Sequence, residues 1–247
     1  YREVLYCLII GAEQEDLRPY IEAAGLLFPK RMCVLAIKPS RDLGQSYLCD
    51  DIVPELKNLF PEIQVAYHED YAAVLVPLDG KPMSALPAAQ LADFAGKKSV
   101  HFGVSRVFAG IEHFAEGYRK ARKALELAEK LSTDELVSAY EAYSFYDMLD
   151  HIADKNALVS FCHPALELLN RYDRKNGTEL YKTLKQYLDC SCNIEETSET
   201  MFLHRNSITY RLGRIKKLCG IDLNDNETRF LLSISFRIDR YAGFDLN

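Results

Sequence analysis

Residues 193–220 read NIEETSETMFLHRNSITYRLGRIKKLCG, and the C-terminal part of the chain is decided by this stretch. Asn193 is of a type that caps helices, and Glu195 and Glu196 follow where a helix dipole favours negative charge. The pattern predicts a helix over 194–202, a short turn at 203–205, and a second helix from there to about Cys219. Asn206 or Ser207 is the expected cap of that second helix, and Gly220 its left-handed stop. Ile208, Leu212, Ile215 and Cys219 recur at spacings of four, three and four, so they share one apolar stripe. Thr209, Tyr210, Arg214 and Lys217 project from the opposite side, with Arg211 and Lys216 flanking the stripe. Two helices joined by so short a turn match the geometry that seats a second helix in the DNA major groove. A solvated amphipathic helix with its charges merely on the surface has the same pattern, and both readings stand on spacing alone.

Charge sharpens the choice. The window 201–221 holds Arg205, Arg211, Arg214, Lys216 and Lys217 and no Asp or Glu, a local charge of +5. The 247-residue chain is net -6, so the remainder carries -11. A balance of that sign argues against indiscriminate coating of nucleic acid, yet a basic island in an acidic body requires a reason. Apolar residues make up 48% and charged residues 27%, enough to build a sizeable core and to exclude wholesale disorder. No apolar run approaches the ~20 residues of a membrane span. Seven cysteines, odd in number and scattered, read as reduced thiols in a cytoplasmic protein rather than as a disulfide scaffold. Cys190 and Cys192 with His204 sketch a metal site, but without a second close pair the buried-thiol reading is favoured.

Upstream, strands and helices alternate. Residues 32–37, 63–67, 71–78 and 99–104 read as strands, and 51–60 and 111–131 as helices. The continuous apolar run 4–10 fits helix or strand equally. Residues 79–87, with Gly80, Pro82 and Pro87, read as a loop. From 132 onward no strand is expected, and helical candidates follow one another at 143–153, 156–160, 164–173 and 178–189, with His163 capping before Pro164. The fold class is therefore α+β: an α/β domain followed by an all-α part.

The stretch from His163 onward resembles the C-terminal part of PucR/CdaR-type bacterial transcription regulators. The residues that carry the likeness are His163-Pro164-Ala165-Leu166, Tyr172-Asp173, Gly177-Thr178-Glu179-Leu180, Thr183-Leu184 and Tyr187-Leu188. They continue as Leu203-His204-Arg205-Asn206-Ser207-Ile208-Thr209-Tyr210-Arg211-Leu212, then Arg214-Ile215, Gly220 and Asp222-Leu223. The first region is similar to the degenerate GGDEF-like domain of the same family, through Gly103-Val104-Ser105-Arg106, Gly110-Ile111-Glu112, Tyr118, Ala121-Arg122 and Ala124-Leu125. The resemblance implies a nucleotide-cyclase-like α/β sandwich at 30–131, preceded by a helical lead-in at 1–29, with residues 2–10 helical. A helical connector at 132–187 and a helix-turn-helix domain at 188–247 would follow. It also implies sequence-specific DNA binding, with His204, Arg205, Asn206, Ser207, Thr209, Tyr210 and Arg211 where the recognition helix begins.

On residue chemistry, Arg205 and Arg211 are suited to phosphate or guanine, and Tyr210 to the backbone. Asn206 caps the helix, or reads adenine if Ser207 caps it. Arg214 and Lys217 complete the expected DNA-binding set. Glu195, Glu196 and Glu199 on the first helix would weaken phosphate approach if they faced DNA.

A working cyclase needs a strand carboxylate for a metal and a glycine-rich hairpin for the nucleotide. Residues 30–41 contain no Asp or Glu, and the hairpin reads Tyr67-His68-Glu69-Asp70-Tyr71 without glycine. No catalytic residue, metal or cofactor is expected. A nucleotide-binding or cyclase-like enzyme, or a ligand-sensing module built on 30–131, is the alternative. The expected partners are operator DNA and a second copy of the chain. The start at Tyr1 leads to the expectation of a longer protein, with a small-molecule effector received on a sensor domain upstream.

Overall fold

Residues 31–39 are apolar on both sides of the strand they form because both faces of the sheet are covered. The computed structural model describes residues 1–40, 43–80, 86, 88–152 and 156–243. The chain divides into two compact units, Tyr1–Met148 and Leu149–Asn247.

In the first unit, β1 (Arg31–Pro39) is the central strand of a six-stranded sheet. It pairs antiparallel with β3 (Tyr71–Pro77) on one side, Leu35 opposite Val74. On its other side lies β4 (Val100–Val104), also antiparallel, with Ala36 opposite Gly103. β2 (Gln64–His68) extends the β3 edge. Cys33, Leu35 and Ile37 point to one face, where they meet Leu48, Ile52 and Leu56 from the helical stretch 44–59 and Leu91 and Ala95 from a helix at Ala88–Lys98. Met32, Val34 and Ala36 point to the other, against Val4, Leu5 and Leu8 of α1 (Arg2–Ile9) and Phe114, Tyr118 and Ala121 of a long helix, Phe114–Lys130. A strand buried on both faces shows no alternation, which is why 32–37 reads as one unbroken apolar run.

Two features depart from the expectations. A strand was not expected after 132, yet β6 (Val137–Ala139) pairs parallel to β4, Gly103 opposite Ser138. Three residues are too few to show a period. A two-residue strand, β5 (Phe108–Ala109), pairs with β1 for the same reason unseen. Residues 1–29, expected as a helical lead-in, hold α1, whose apolar side is buried in the sheet core. The loop expected at 79–87 lies mostly outside the described residues.

The residues that carried the family likeness here do structural work. A Cβ on Gly103 would sit 1.9 Å from the carbonyl oxygen of Ala121, so only glycine lets β4 and the long helix approach this closely. The buried Ser105 hydroxyl accepts from the Val34 N–H at 2.9 Å and donates to the Arg106 carbonyl at 2.7 Å. At the hairpin, Glu69 adopts φ 53° and its carboxylate lies 2.8 Å from Arg122, so that acid is already matched to a cation. Arg122 also stacks over Tyr71 at 4.4 Å, and the His68 ring meets Tyr118 edge-on at 5.9 Å. Burial pushes the Tyr118 phenol up to about 12, keeping it a neutral donor. β1 offers no carboxylate to a metal.

Gly103→Ala forces the long helix away from the sheet and should cost about 2 kcal/mol or more by overpacking. Urea unfolding of the first unit measures it, as a lower midpoint at unchanged slope.

Candidate nucleic-acid interface

In chain order α1 is followed by α2 (Gln14–Ala23), α3 (Gly44–Tyr47), α4 (Val53–Leu59), α5 (Ala88–Lys98), α6 (Phe114–Lys130) and α7 (Tyr140–Asp150), and the second unit is built from α8 (Ala165–Asn176), α9 (Leu180–Asp189), α10 (Ile194–Thr200), α11 (Arg205–Cys219) and α12 (Asn226–Ala242). Its core joins Leu166 and Leu169 of α8, Leu180 and Leu184 of α9, Ile208, Leu212 and Ile215 of α11, and Leu232 and Phe236 of α12. The His163 ring accepts from the Ala165 N–H at 3.1 Å, capping α8 as its place before Pro164 suggested. Gly177 then ends α8 in the left-handed conformation, φ 63°.

Asp173 ties α8 to α9. Its carboxylate accepts from the Leu180 N–H at 2.9 Å, the Tyr181 N–H at 2.8 Å and the Thr178 hydroxyl. Two otherwise orphaned donors at the start of α9 are thereby satisfied from the preceding helix. This accounts for the Asp173…Thr178-Glu179-Leu180 pattern as architecture.

Asn193 caps α10 by accepting from the N–H groups of Glu195 at 2.9 Å and Glu196 at 3.2 Å. Helix α10 ends at Thr200, two residues short of the expected end, because Phe202 turns the chain at φ 55°. The Phe202 ring is 94% exposed. Glu195, Glu196 and Glu199 are all exposed.

The cap of α11 is neither Asn206 nor Ser207. His204 holds extended backbone and its Nδ1 accepts from the Asn206 N–H at 3.2 Å. A histidine ring nitrogen replaces the usual short oxygen, and the helix starts one residue early, at Arg205. Among the described residues no group of three or more His, Cys, Asp or Glu side chains is placed to hold a metal ion, and Cys190 is buried against Gln186 and Thr200. Gly220 closes α11 at φ 65°, as expected.

Ile208, Leu212 and Ile215 are buried, and Cys219 is half-buried at the end of the same stripe. Arg205, Asn206, Ser207, Thr209, Tyr210, Arg214 and Lys217 are all exposed, Tyr210 at 67%. The Thr209 hydroxyl bonds back to the Arg205 carbonyl at 3.1 Å. Arg214 stacks over the Tyr172 ring at 5.2 Å, donates to the Tyr172 hydroxyl, and reaches the Tyr210 hydroxyl at 3.4 Å. The bond to Tyr172 raises its already high pKa, so its charge is permanent. A cleft of about 580 Å³ separates the 177–180 turn from Asn206, Ser207, Tyr210 and Arg214.

Arg211 differs from the other candidates. Its side chain is only 24% exposed, and its Nη1 donates to Thr183 at 3.0 Å and to Glu179 at 3.3 Å on α9. Tyr172, Asp173, Glu179 and Thr183 were visible as motif residues, but no spacing rule reveals a partner 32 positions away. The one available signal was the i, i+4 placement of Glu179 and Thr183 on a single helix face.

Residues 180–238 match the PucR C-terminal helix-turn-helix domain, and residues 11–127 match a GGDEF-like domain. Among curated proteins, the chain is 23% identical over 240 residues to the proline-responsive transcriptional activator PutR of Bacillus subtilis, covering 91% of this chain and 58% of that one. It is 27% identical over 144 residues to the purine catabolism regulatory protein of the same organism, 58% of this chain and 27% of that protein. The carbohydrate diacid regulator of Escherichia coli is 26% identical over 144 residues, 58% of this chain and 37% of its own length. The chain thus spans about three-fifths or less of these relatives.

Asn193→Ala removes two hydrogen bonds from the start of α10 and should destabilise the second unit by about 1 kcal/mol, whereas Asn193→Asp should preserve the cap. Thermal unfolding of the two variants against the parent measures the difference.

Proposed function

The chain is of the PucR/CdaR type, a GGDEF-like domain followed by a PucR-type helix-turn-helix, and on that premise we propose that it is a sequence-specific DNA-binding transcription regulator. The observation that carries the reading is the outer face of α11. Seven polar or cationic side chains stand exposed there, in a window without a single carboxylate, on a helix whose opposite face is buried. Helix α11 enters the major groove, with α10 crossing the backbone. Arg205 and Lys217 neutralise phosphate. Asn206, Ser207 and Thr209 are placed to meet base edges, and Tyr210 and Arg214 to meet the backbone. His204 fixes the helix start, where the free N–H groups favour an approaching phosphate.

One reader of one half-site binds weakly, so the active species is a homodimer on a two-fold operator. The protein works in the cytoplasm, and among the described residues no helix is long and apolar enough to cross a membrane. Control by a small-molecule effector, received on an N-terminal sensor segment, is part of the same proposal. It is supported by the greater length of the relatives, one of which is named for its response to proline. The activity proposed is binding and not catalysis, a reading supported by relatives that are named as regulators.

In a salt titration on duplex DNA, Arg205→Ala/Lys217→Ala should bind more weakly and lose about 1.8 from the slope of log K against log salt, about 0.9 for each phosphate contact removed. Equal affinity and equal slope for parent and double variant would refute this face as the interface.

A further inference from the structure

Of the five cations in the 201–221 window, Arg205 and Lys217 stand exposed, Lys216 is half-buried, Arg214 donates to the Tyr172 hydroxyl on α8, and Arg211 is gripped by α9. Its Nη1 donates to the Thr183 hydroxyl at 3.0 Å and to the Glu179 carboxylate at 3.3 Å. Thr183 is fully buried, and its own hydroxyl proton goes to the Glu179 carbonyl at 2.7 Å. The oxygen is therefore oriented to accept, and Arg211 is the donor it faces. The grip stands on a fixed base, because Asp173 pins the Leu180 and Tyr181 N–H groups at the start of α9.

This contact supplies what the apolar stripe lacks. Burial of Ile208, Leu212 and Ile215 holds α11 in the unit, but hydrophobic contact has no direction, and a helix seated by it alone can roll. Hydrogen bonds to a charged group are directional and strong. Arg211 follows directly after Tyr210 on the helix that turns Arg205, Asn206, Ser207, Thr209 and Tyr210 outward, so a roll prevented at Arg211 is a roll prevented at those side chains.

We propose that Arg211 is a positioning residue: with Glu179 and Thr183 it sets the angle at which α11 is presented to DNA, and it touches neither phosphate nor base. The inference rests on the reading of α11 as the recognition helix. It moves Arg211 from the contact role expected of its motif position into the support of the residues that make contact. It also extends the functional reader back to Glu179, one residue ahead of the helix-turn-helix match at 180–238.

The test uses the 247-residue chain and two duplexes of equal length, one selected from random sequence by the parent chain and one of mixed sequence, each titrated across a salt series by fluorescence anisotropy. Arg205→Gln should lower the salt slope by about 0.9 on both duplexes. Arg211→Gln and Glu179→Gln should leave the slope unchanged and lower the selected-to-mixed affinity ratio by about tenfold, the loss of one charge-assisted hydrogen bond. Arg211→Lys should restore part of that ratio. Glu179 is exposed, so its variant keeps the fold and decides the matter even if Arg211→Gln does not fold. The proposal is overturned if Arg211→Gln loses slope as Arg205→Gln does, or if Glu179→Gln leaves the ratio untouched. If the parent selects no sequence, or Arg205→Gln binds like the parent, the DNA-binding reading itself fails, and the inference falls with it.

Discussion

Burial of Ile208, Leu212 and Ile215 is the contact on which the C-terminal unit depends. These three side chains meet Leu166, Leu169, Leu180, Leu184 and Leu232 from three other helices, so one helix face is the point where the core converges. A helix anchored by one face must present the other. The acid-free composition of that other face is then a matter of what it meets outside the protein, since nothing in the core requires it. On the proposed reading the local +5 and the -11 of the remainder become intelligible together: an acidic body would discourage loose association with DNA except through this helix.

The first unit is held by its central strand. Both faces of the sheet are covered and Gly103 permits a close approach, while β1 carries no carboxylate and the hairpin keeps Glu69 and Asp70 behind Tyr67 and His68 in place of glycines. His68, Glu69, Tyr71, Tyr118 and Arg122 form a connected set of ion pair, cation–aromatic and ring contacts at the hairpin.

What was legible in the sequence follows physical lines. β1 and β3 could be read because strands buried on both faces give unbroken apolar runs, β4 because Val100, Phe102 and Val104 alternate with His101 and Gly103, and α10, α11 and the Gly220 stop because capping is local. β5 and β6 were hidden because two or three residues carry no period, and their pairing is decided by the sheet they join. The α11 cap was misplaced because Asn and Ser outrank His as caps by type, whereas the His204 ring reaches the Asn206 N–H only in this turn. The outward set at 205–217 was readable from helical spacing. The partnership of Arg211 with Glu179 and Thr183 was not, since a contact between α11 and α9 exists only once the core has formed.

The central claim, that α11 lies in the major groove, is tested most directly by dimethyl sulfate footprinting on a duplex selected by the chain. Methylation at guanine N7 reports the major-groove edge that a docked helix covers. Guanines in two patches about one helical turn apart should be protected, and the protection lost in Arg205→Ala/Lys217→Ala. Tight binding with every guanine N7 still open to methylation would contradict it.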